Sequence, residues 1–526
     1  MKRADMIARL EERREPWDML VIGGGATGMG IAVDAASRGY AVLLLEQHDF
    51  GKGTSSRSTK LVHGGVRYLE QGNVALVMEA LKERGLLRQN APHLVSNLAF
   101  VVPNYDWWEA PFYGLGLKVY NALAGKYGFG PSEILSREET LARLPTIRIE
   151  GLRGGVVYYD GQFDDARLLV NLAQTAAEQG ATVLNYLAVT ALTKGADGFV
   201  DGVVAEDRAL DRKWEIGARV VINATGPFSD AVRHMAEPDA PRLIAPSQGI
   251  HLVFDQSFLP TDAAIMVPHT SDGRVMFAIP WHGHTLVGTT DTPIDTPALE
   301  PRPLDHEIAF ILETAGRYLH KAPSRADVLS VFVGIRPLVK SGDSKLTAAL
   351  SRDHTIHIDA SGLITTTGGK WTTYRNMAEH TVDQAADLAR LPERACVTRT
   401  LNIHGFHSTP ARFGPLAFYG SDATAIEDLM RATPALGMRL HHALPYVAAE
   451  VVWAVREEMA RTVEDVLARR TRALFLNAGA AEAMAPAVAR LMGDELNWSD
   501  AQRDAEVRAF VALARGYQVS SVETSG

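Results

Sequence analysis

The stretch DMLVIGGGATGMGIAVDAASRGYAVLLLEQHD, residues 18–49, decides the fold of the chain. Its first apolar run, residues 19–22, has the length and composition of a buried parallel strand, and a glycine-rich turn follows. Small residues on the next segment would let a helix pack close to the sheet until Gly39 ends it. A second apolar run, residues 42–45, predicts the next strand. Strand, glycine turn, helix and strand in this order predict a dinucleotide-binding unit.

The glycines Gly23, Gly25 and Gly28 have the G-x-G-x-x-G spacing of such a unit. They permit a tight turn and let the backbone approach a pyrophosphate, which the helix N-terminus attracts with its N–H groups and its dipole. Glu46, at the end of the second strand, is placed to accept hydrogen bonds from ribose hydroxyls and argues against a 2′-phosphate. The alternative is a glycine-rich turn without a ligand.

The composition excludes several classes of protein. The chain has 526 residues, 46% hydrophobic and 22% charged, as in a soluble globular protein of roughly two to four domains. Its net charge of -9 argues against a general nucleic-acid-binding protein. The single cysteine, Cys396, excludes an internal disulfide, and we expect it at the entry to a strand rather than as a nucleophile. His282 and His284 lack a third ligand nearby, so we expect a polar turn and no metal.

The changes of pattern along the chain predict an α/β plus α fold of three domains, the first of them discontinuous. We expect a Rossmann-like nucleotide-binding domain, a mostly antiparallel β domain for the substrate and a helical C-terminal domain. The nucleotide-binding domain is predicted at residues 17–100, 155–240 and 345–395. The substrate domain is predicted at 101–154 and 241–344, and the helical C-terminal domain at 396–526. Residues 1–18 predict a short solvated helix and not a signal peptide.

A strand at residues 220–223 ends in a turn of small residues that includes Thr225 and Gly226. We expect this turn to lie near the cofactor. The alternative is an ordinary strand-to-helix turn in which Ser229 or Asp230 caps the helix.

The glycine motif does not by itself distinguish NAD from FAD. Three features favour FAD: there is one such motif, it lies close to the N-terminus, and a second Gly-Gly turn occurs near residue 368. A flavin would carry out the redox chemistry itself, and the protein would orient it and tune its electrostatics.

Several motifs together resemble those of the FAD-dependent glycerol-3-phosphate dehydrogenases, quinone-linked flavoproteins of the D-amino-acid-oxidase-like group. They extend over essentially the whole chain and are VIGGGATGMG, TSSRSTKLVHGGVRYLEQG, INATGPFSD, GIHLVF, GTTD, GIRPL and GGKWTTYR. The resemblance implies oxidation of sn-glycerol 3-phosphate to dihydroxyacetone phosphate by hydride transfer to flavin N5, with electrons passing to a membrane quinone. The alternatives are an oxidase that releases hydrogen peroxide, a flavoprotein acting on another small anion, and a flavin-binding protein without turnover.

The resemblance also implies which residues hold FAD. Those expected at its ADP half, its pyrophosphate and ribityl chain and its ring are, in chain order, Gly23, Gly25, Gly28, Glu46, Thr54, Ser55, Ser56, Lys60, His63, Thr225, Gly226, Gly369, Lys370, Trp371 and Thr372. Position 57 departs from the expected pattern, because an arginine stands where a small residue or a lysine is expected. The role of Arg57 stays open, and one interpretation is a solvated side chain.

The substrate residues implied are Arg67, Tyr68, His251, Arg336 and Lys370. Residue chemistry supports them independently, since a small phosphate dianion needs two or more cations in a dry cleft. Arg336 lies in an apolar run and needs an anionic partner, which could be the substrate or a protein carboxylate. His251 is the leading candidate for the general base, with His63 as the rival. Lys370 would stabilise negative charge on the reduced flavin.

The segment from Val101 to Gly130 is rich in aromatic residues and contains Lys118 and Lys126. Such a segment suits the interface of a bilayer, and the alternative is an aromatic cluster buried between domains. No apolar run is long enough to cross a membrane. We therefore expect a cytoplasmic protein attached to the inner face of the cell membrane. The oligomeric state stays open, and a homodimer is compatible with the sequence.

Overall fold

The structure is a computed structural model that describes residues 1–66, 69, 72–207, 211–268, 270, 273–340 and 354–520. Its helices, numbered in chain order, are α1 (Arg3–Glu12), α2 (Ala26–Ser37), α3 (Val74–Asn90), α4 (Glu109–Ala124), α5 (Arg137–Arg143), α6 (Asp165–Glu178), α7 (Ser229–Ala236), α8 (Asp305–Tyr318), α9 (Tyr374–Leu388), α10 (Ala423–Ala432), α11 (Ala448–Glu457), α12 (Ala473–Leu476), α13 (Ala478–Leu496) and α14 (Asp500–Ala514).

The strands form three sheets. They are β1 (Met19–Ile22), β2 (Val42–Leu45), β3 (Leu61–Val62), β4 (Val95–Asn104), β5 (Glu133–Ser136), β6 (Gly154–Phe163), β7 (Thr182–Leu184), β8 (Ala188–Lys194), β9 (Val200–Asp207), β10 (Arg212–Gly217), β11 (Val221–Asn223), β12 (Ile244–Asp255), β13 (Ala263–Val267), β14 (Met276–Trp281), β15 (His284–Gly288), β16 (Thr292–Pro293), β17 (Val328–Val339), β18 (His354–Ile358) and β19 (Ile364–Gly368). Strands β8, β9 and β10 form a small antiparallel sheet.

The first large sheet has the order β18-β19-β11-β1-β2-β7. Strand β1 runs parallel to both β2 and β11, and every residue of β1 and β2 is buried. Continuous apolar strands of this kind are covered by helices on both faces of a parallel sheet. The outer strands β18 and β19 come from a distant part of the chain, so the nucleotide-binding domain is discontinuous, as predicted.

The second large sheet is mostly antiparallel, as predicted, with one parallel pair between β13 and β4. Its order is β16-β12-β15-β14-β13-β4-β6-β3, with β17 beside β12 and β5 beside β6. The predicted boundary between residues 100 and 101 is wrong, because it cuts through β4, and β6 joins the same sheet. A short apolar run shows that a strand exists but does not show which sheet it will join.

The C-terminal part is helical, as predicted, and packs directly on the second sheet. Phe475 of α12 contacts Phe332 of β17 edge to face, with ring centroids 4.9 Å apart. Two local predictions are wrong. Helix α1 is not fully solvated, since Met6 and Leu10 are buried. The segment around Cys396 has no strand, and its thiol donates to Asp34 Oδ1 at 3.0 Å.

Candidate active site

The glycine turn packs tightly against the end of β11. A Cβ atom on Gly23 would lie 2.7 Å from the carbonyl oxygen of Ala224, and one on Gly28 would lie 1.9 Å from that of Gly23. Only glycine can occupy these positions, and Gly23 also has a φ of +110°. The structure thus brings Thr225 next to the glycine turn, and neither Ser229 nor Asp230 caps α7.

Two side chains accept hydrogen bonds from backbone N–H groups near the N-terminus of α2. Glu46 Oε2 accepts a hydrogen bond from Gly24 N at 2.7 Å, which holds the carboxylate beside the turn. Ser55 Oγ accepts from Ala26 N at 2.9 Å. Burial raises the pKa of Glu46. A pyrophosphate at this turn would meet the N–H groups and positive dipole end of α2.

A cavity of about 680 Å³ opens beside the segment that follows the glycine unit, residues 54–65, which we call the strip. This volume is typical of sites for organic ligands, which run from about 300 to 1,000 Å³. Eight of the predicted cofactor and substrate residues line it: Thr54, His63, His251, Arg336, Gly369, Lys370, Trp371 and Thr372. Arg67 and Tyr68 lie outside the described residues.

Lys60 is not on the cavity wall, so its predicted contact with the cofactor is wrong. Its ammonium is fully buried and donates to Asp165 Oδ2 at 2.6 Å and to Ser56 O at 2.8 Å. Burial lowers its pKa to about 7 against the opposing effect of Asp165. Ser56 is buried too, and its carbonyl oxygen also accepts from Arg472. Both side chains are therefore buried beneath the strip and stabilise its position.

Arg57 is buried rather than solvated, which corrects the sequence interpretation. Its guanidinium donates to Glu300 at 2.8 Å and to the carbonyl oxygen of Val333 at 3.3 Å. Tyr517 donates to the same Glu300 carboxylate at 3.2 Å. Arg57 therefore ties the strip to β17 and to the C-terminal helices.

The turn after β19 is hydrogen-bonded to the strip. Trp371 Nε1 donates to Ser55 O at 2.8 Å, and His63 N donates to Thr372 Oγ1 at 3.2 Å. Thr54 Oγ1 donates to the carbonyl oxygen of Ile335 in β17 at 2.6 Å. These bonds fix three separate parts of the chain around one cavity.

His251 is held in the second sheet with its ring stacked on Phe332, at a centroid distance of 4.9 Å and an interplanar angle of 14°. Its Nε2 atom lies 3.0 Å from Thr59 Oγ1. Burial, and then the positive charges of Lys60 and Arg336, lower its pKa well below the usual value. These effects favour the neutral imidazole, which is the form that accepts a proton.

Arg336 has a protein carboxylate as partner, which was one of the two alternatives. It donates to Asp291 at 3.2 Å and to the carbonyl oxygen of Thr290 at 2.9 Å. Arg274 also lies on the cavity wall and donates to the Asp291 carbonyl oxygen at 2.7 Å. Sequence reasoning assigned no role to Asp291, although it ends the GTTD motif.

A hydrogen-bond network around Asp160, which lines the cavity, was also missed. Tyr120 of α4 accepts from Gly64 N at 2.8 Å and donates to Asp160 Oδ2 at 2.7 Å, and Arg84 donates to Asp160 Oδ1 at 2.6 Å. A Cβ atom on Gly64 would lie 2.4 Å from the Tyr120 hydroxyl. The HGG segment is thus held against α4 by a buried phenol.

The polar turn predicted at His282 is present, and this ring contacts Asp164 with Nε2 and Oδ2 3.1 Å apart. Within the described parts of the chain, no group of three His, Cys, Asp or Glu side chains could hold a metal ion.

Comparison with known proteins agrees with this geometry. Residues 18–375 match the family described as FAD dependent oxidoreductase, and residues 368–503 match the C-terminal domain of alpha-glycerophosphate oxidase. The chain is 42% identical over 561 residues to a probable mitochondrial glycerol-3-phosphate dehydrogenase of Caenorhabditis elegans, covering 99% of this chain and 77% of the relative. It belongs to the FAD-dependent glycerol-3-phosphate dehydrogenase family.

Other members of this family give the same result. The mitochondrial glycerol-3-phosphate dehydrogenase of Homo sapiens is 41% identical over 545 residues, which cover 96% of this chain and 74% of the human protein. The crystal structure of the Bacillus halodurans glycerol-3-phosphate dehydrogenase, complexed with FAD, superposes with a TM-score of 0.80 at 31% identity and covers 100% of this chain and 99% of its own.

FAD is the cofactor of this family, and the residues of this chain fit it. The glycine turn leaves room for a pyrophosphate at the α2 N-terminus, since Gly23 and Gly28 allow the backbone to pack without side chains. The cavity lined by Trp371 and Lys370 also borders Thr54 and His63 of the strip, and its volume has room for a ring system.

The Tyr120 network predicts a measurable loss of stability. Tyr120→Phe removes the acceptor for Gly64 N and the donor to Asp160, which leaves buried groups unsatisfied. We expect the free energy of unfolding to fall by about 1–3 kcal/mol in urea denaturation. Tyr158→Phe is the matched control, since within the described residues that buried hydroxyl has the sulfur of Met266 as its hydrogen-bond partner. Equal losses for the two variants would contradict a role for the network.

Proposed function

We propose that the protein oxidises sn-glycerol 3-phosphate to dihydroxyacetone phosphate at its FAD and passes the electrons to a membrane quinone. The observation that carries this proposal is the lining of the cavity, where Arg274, Arg336 and Lys370 come together beside a neutral His251. A cationic wall suits a phosphate dianion, and a neutral imidazole suits the removal of a hydroxyl proton.

Arg336 would bind the phosphate. Its guanidinium is oriented by Asp291, by Thr290 O and, at 3.3 Å, by Thr289 Oγ1. The Arg336 side chain is 26% exposed to solvent. A planar donor fixed in this way is suited to a tetrahedral oxyanion, because no further side-chain freedom is lost on binding.

The chemistry of oxidation divides between protein and cofactor. When bound, FAD accepts the hydride that leaves carbon 2 of the substrate. The protein would take the hydroxyl proton with His251, whose ring is shielded from water by its burial. The positive charge of Lys370 at the Gly369–Thr372 turn would favour electron density on the ring and hold the anionic substrate in place.

The proposal for the acceptor rests on the apolar residues of the same cavity. These include Val66, Leu76, Phe100, Val275 and Phe277. Helix α4 packs against β4 and β6 next to this wall. An apolar quinone headgroup could therefore approach the cofactor from the side of α4.

The outer face of α4 and the residues before it carry an aromatic patch, which we define as Trp107, Trp108, Phe112, Leu115 and Val119. Trp107 is 77% exposed, Phe112 53% and Leu115 69%. Other aromatics of the segment, Tyr113, Tyr120 and Phe129, are buried, so the segment has an inner and an outer aromatic set.

We infer that the aromatic patch lies on the cytoplasmic face of a bilayer and attaches the protein peripherally. Exposed Lys118 and Lys126 stand beside it and would meet anionic headgroups. Single exposed apolar residues are common, whereas five together mark an interaction surface. Among the helices of the described residues, none has the length and apolar character that a membrane span requires.

Arg336→Ala tests the substrate. We expect the KM for glycerol 3-phosphate to rise roughly 10- to 150-fold, the equivalent of about 1.5–3 kcal/mol for a charged hydrogen bond. Oxidation of glycerol, which has no phosphate, should not change. Arg336→Lys keeps the positive charge but lacks the planar N–H donors of the guanidinium, and its KM should be intermediate. Steady-state assays with an artificial electron acceptor measure the KM of the wild type, of Arg336→Ala and of Arg336→Lys. The control variant is Arg317→Ala, because Arg317 is exposed. An unchanged KM in Arg336→Ala would contradict the proposal.

The acceptor is tested with the same preparation. After anaerobic reduction by glycerol 3-phosphate, a soluble quinone should reoxidise the enzyme much faster than air-saturated buffer. Stoichiometric hydrogen peroxide, with no effect of quinone, would contradict the quinone proposal and favour the oxidase alternative.

Flotation with vesicles of phosphatidylethanolamine and phosphatidylglycerol tests the patch. Each large apolar side chain buried in lipid contributes about 1.5–3 kcal/mol. The triple variant Trp107→Ser, Phe112→Ser, Leu115→Ser should therefore lose at least about tenfold in partitioning. Met438→Ser is the control, since Met438 is equally exposed but lies elsewhere. Wild-type protein that stays at the bottom of the gradient would contradict membrane attachment.

A further inference from the structure

The ring of His251 belongs to the cavity wall but is almost closed off from it. The residue is 3% exposed. A Cβ atom on Gly288 would lie 2.3 Å from His251 Cδ2, so β15 covers one edge of the ring, while Phe332 covers one face. Nδ1 is buried and, among the described residues, has no hydrogen-bond partner. Nδ1 is therefore closed off from a ligand, and Nε2 faces the hydroxyl of Thr59.

The group that connects this ring to the cavity is the hydroxyl of Thr59. Its Oγ1 atom lies 3.0 Å from His251 Nε2, and the residue is half-buried on the cavity wall. The backbone on both sides is fixed, because Ser58 is hydrogen-bonded to Asp165 through N and Oγ, and Lys60 is ion-paired with the same carboxylate. Thr59 thus has a defined position between solvent-accessible space and a buried base.

We propose that Thr59 is a catalytic residue that contacts the reacting hydroxyl of the substrate and relays its proton to His251. This inference rests on the proposed function. The substrate O–H bond breaks and its proton bonds to Thr59 Oγ1, while the hydroxyl proton of Thr59 passes to His251 Nε2. The electron pair of the carbon 2–hydrogen bond leaves with its hydrogen as hydride to FAD, and the carbon–oxygen bond becomes a carbonyl.

The proposed relay accounts for the burial of His251 and for the positive charges near its ring. For Nε2 to accept, the ring must carry its proton on Nδ1, and in that tautomer the Thr59 hydroxyl donates to Nε2 across the 3.0 Å contact. The imidazolium formed would lie near the charges of Lys60 and Arg336. It would therefore return its proton through Thr59 once the product has left, and the ring would be neutral for the next cycle.

The test is anaerobic stopped-flow reduction of the FAD-loaded enzyme by glycerol 3-phosphate. Thr59→Val keeps the shape without the hydroxyl, and we expect its rate of flavin reduction to fall about 10²–10⁴-fold. Thr59→Ser restores the hydroxyl and should stay within about tenfold of wild type. The matched control is Thr261→Val, a threonine with a backbone partner away from the cavity. FAD content, followed by the flavin spectrum, should not change in any of these variants.

The double variant Thr59→Val, His251→Ala distinguishes a relay from two separate effects. Groups that act as a unit are not additive, so the double variant should be no slower than Thr59→Val alone. Wild-type rates in Thr59→Val, or multiplied losses in the double variant, would overturn the relay. If glycerol 3-phosphate does not reduce the wild-type enzyme, the proposed function itself fails, which is a different result.

Discussion

The buried carboxylate of Asp165 is the group on which the geometry of the site depends. At the start of α6 it accepts from Ser58 N and Oγ, from Lys60 Nζ at 2.6 Å and from Arg472 at 3.0 Å. Its own helix adds Ala166 N at 2.8 Å. A buried charge is tolerated only when it is paired and hydrogen-bonded, and loss of one partner costs about 3–5 kcal/mol. Three parts of the chain are therefore joined at one carboxylate.

The polar strip that follows the glycine unit can be understood from this anchor. Residues whose side chains point back toward Asp165 support it, as Lys60 does, and those that point forward line the cavity, as Thr54, Thr59 and His63 do. At its far end Gly64 meets Tyr120, which belongs to the helix that carries the aromatic patch. One helix thus serves both the cavity and the proposed membrane face.

Much of the fold could be predicted because its signals are local. The glycine spacing, the apolar runs 19–22 and 42–45 and the helical pattern of the C-terminal part need only neighbouring residues. The errors concern contacts between distant residues. Lys60 pairs with a carboxylate 105 positions away, and Arg57 with one 243 positions away. The sequence shows that a lysine or arginine follows the nucleotide-binding unit. It does not show that a buried carboxylate from a distant part of the chain forms an ion pair with that residue. The hydroxyl of Thr59 was missed for the same reason, since His251 is 192 positions away.

The most direct test of the account follows the hydrogen on carbon 2 of the substrate. With sn-glycerol 3-phosphate deuterated at that carbon, anaerobic flavin reduction at saturating substrate should be several-fold slower than with the unlabelled compound. The product should be dihydroxyacetone phosphate without the label, because the cavity is proposed to hold the secondary alcohol against FAD while Thr59 and His251 take its proton. Equal rates together with a product that retains deuterium on carbon 2 would contradict the account, since the oxidation would then take place at another carbon.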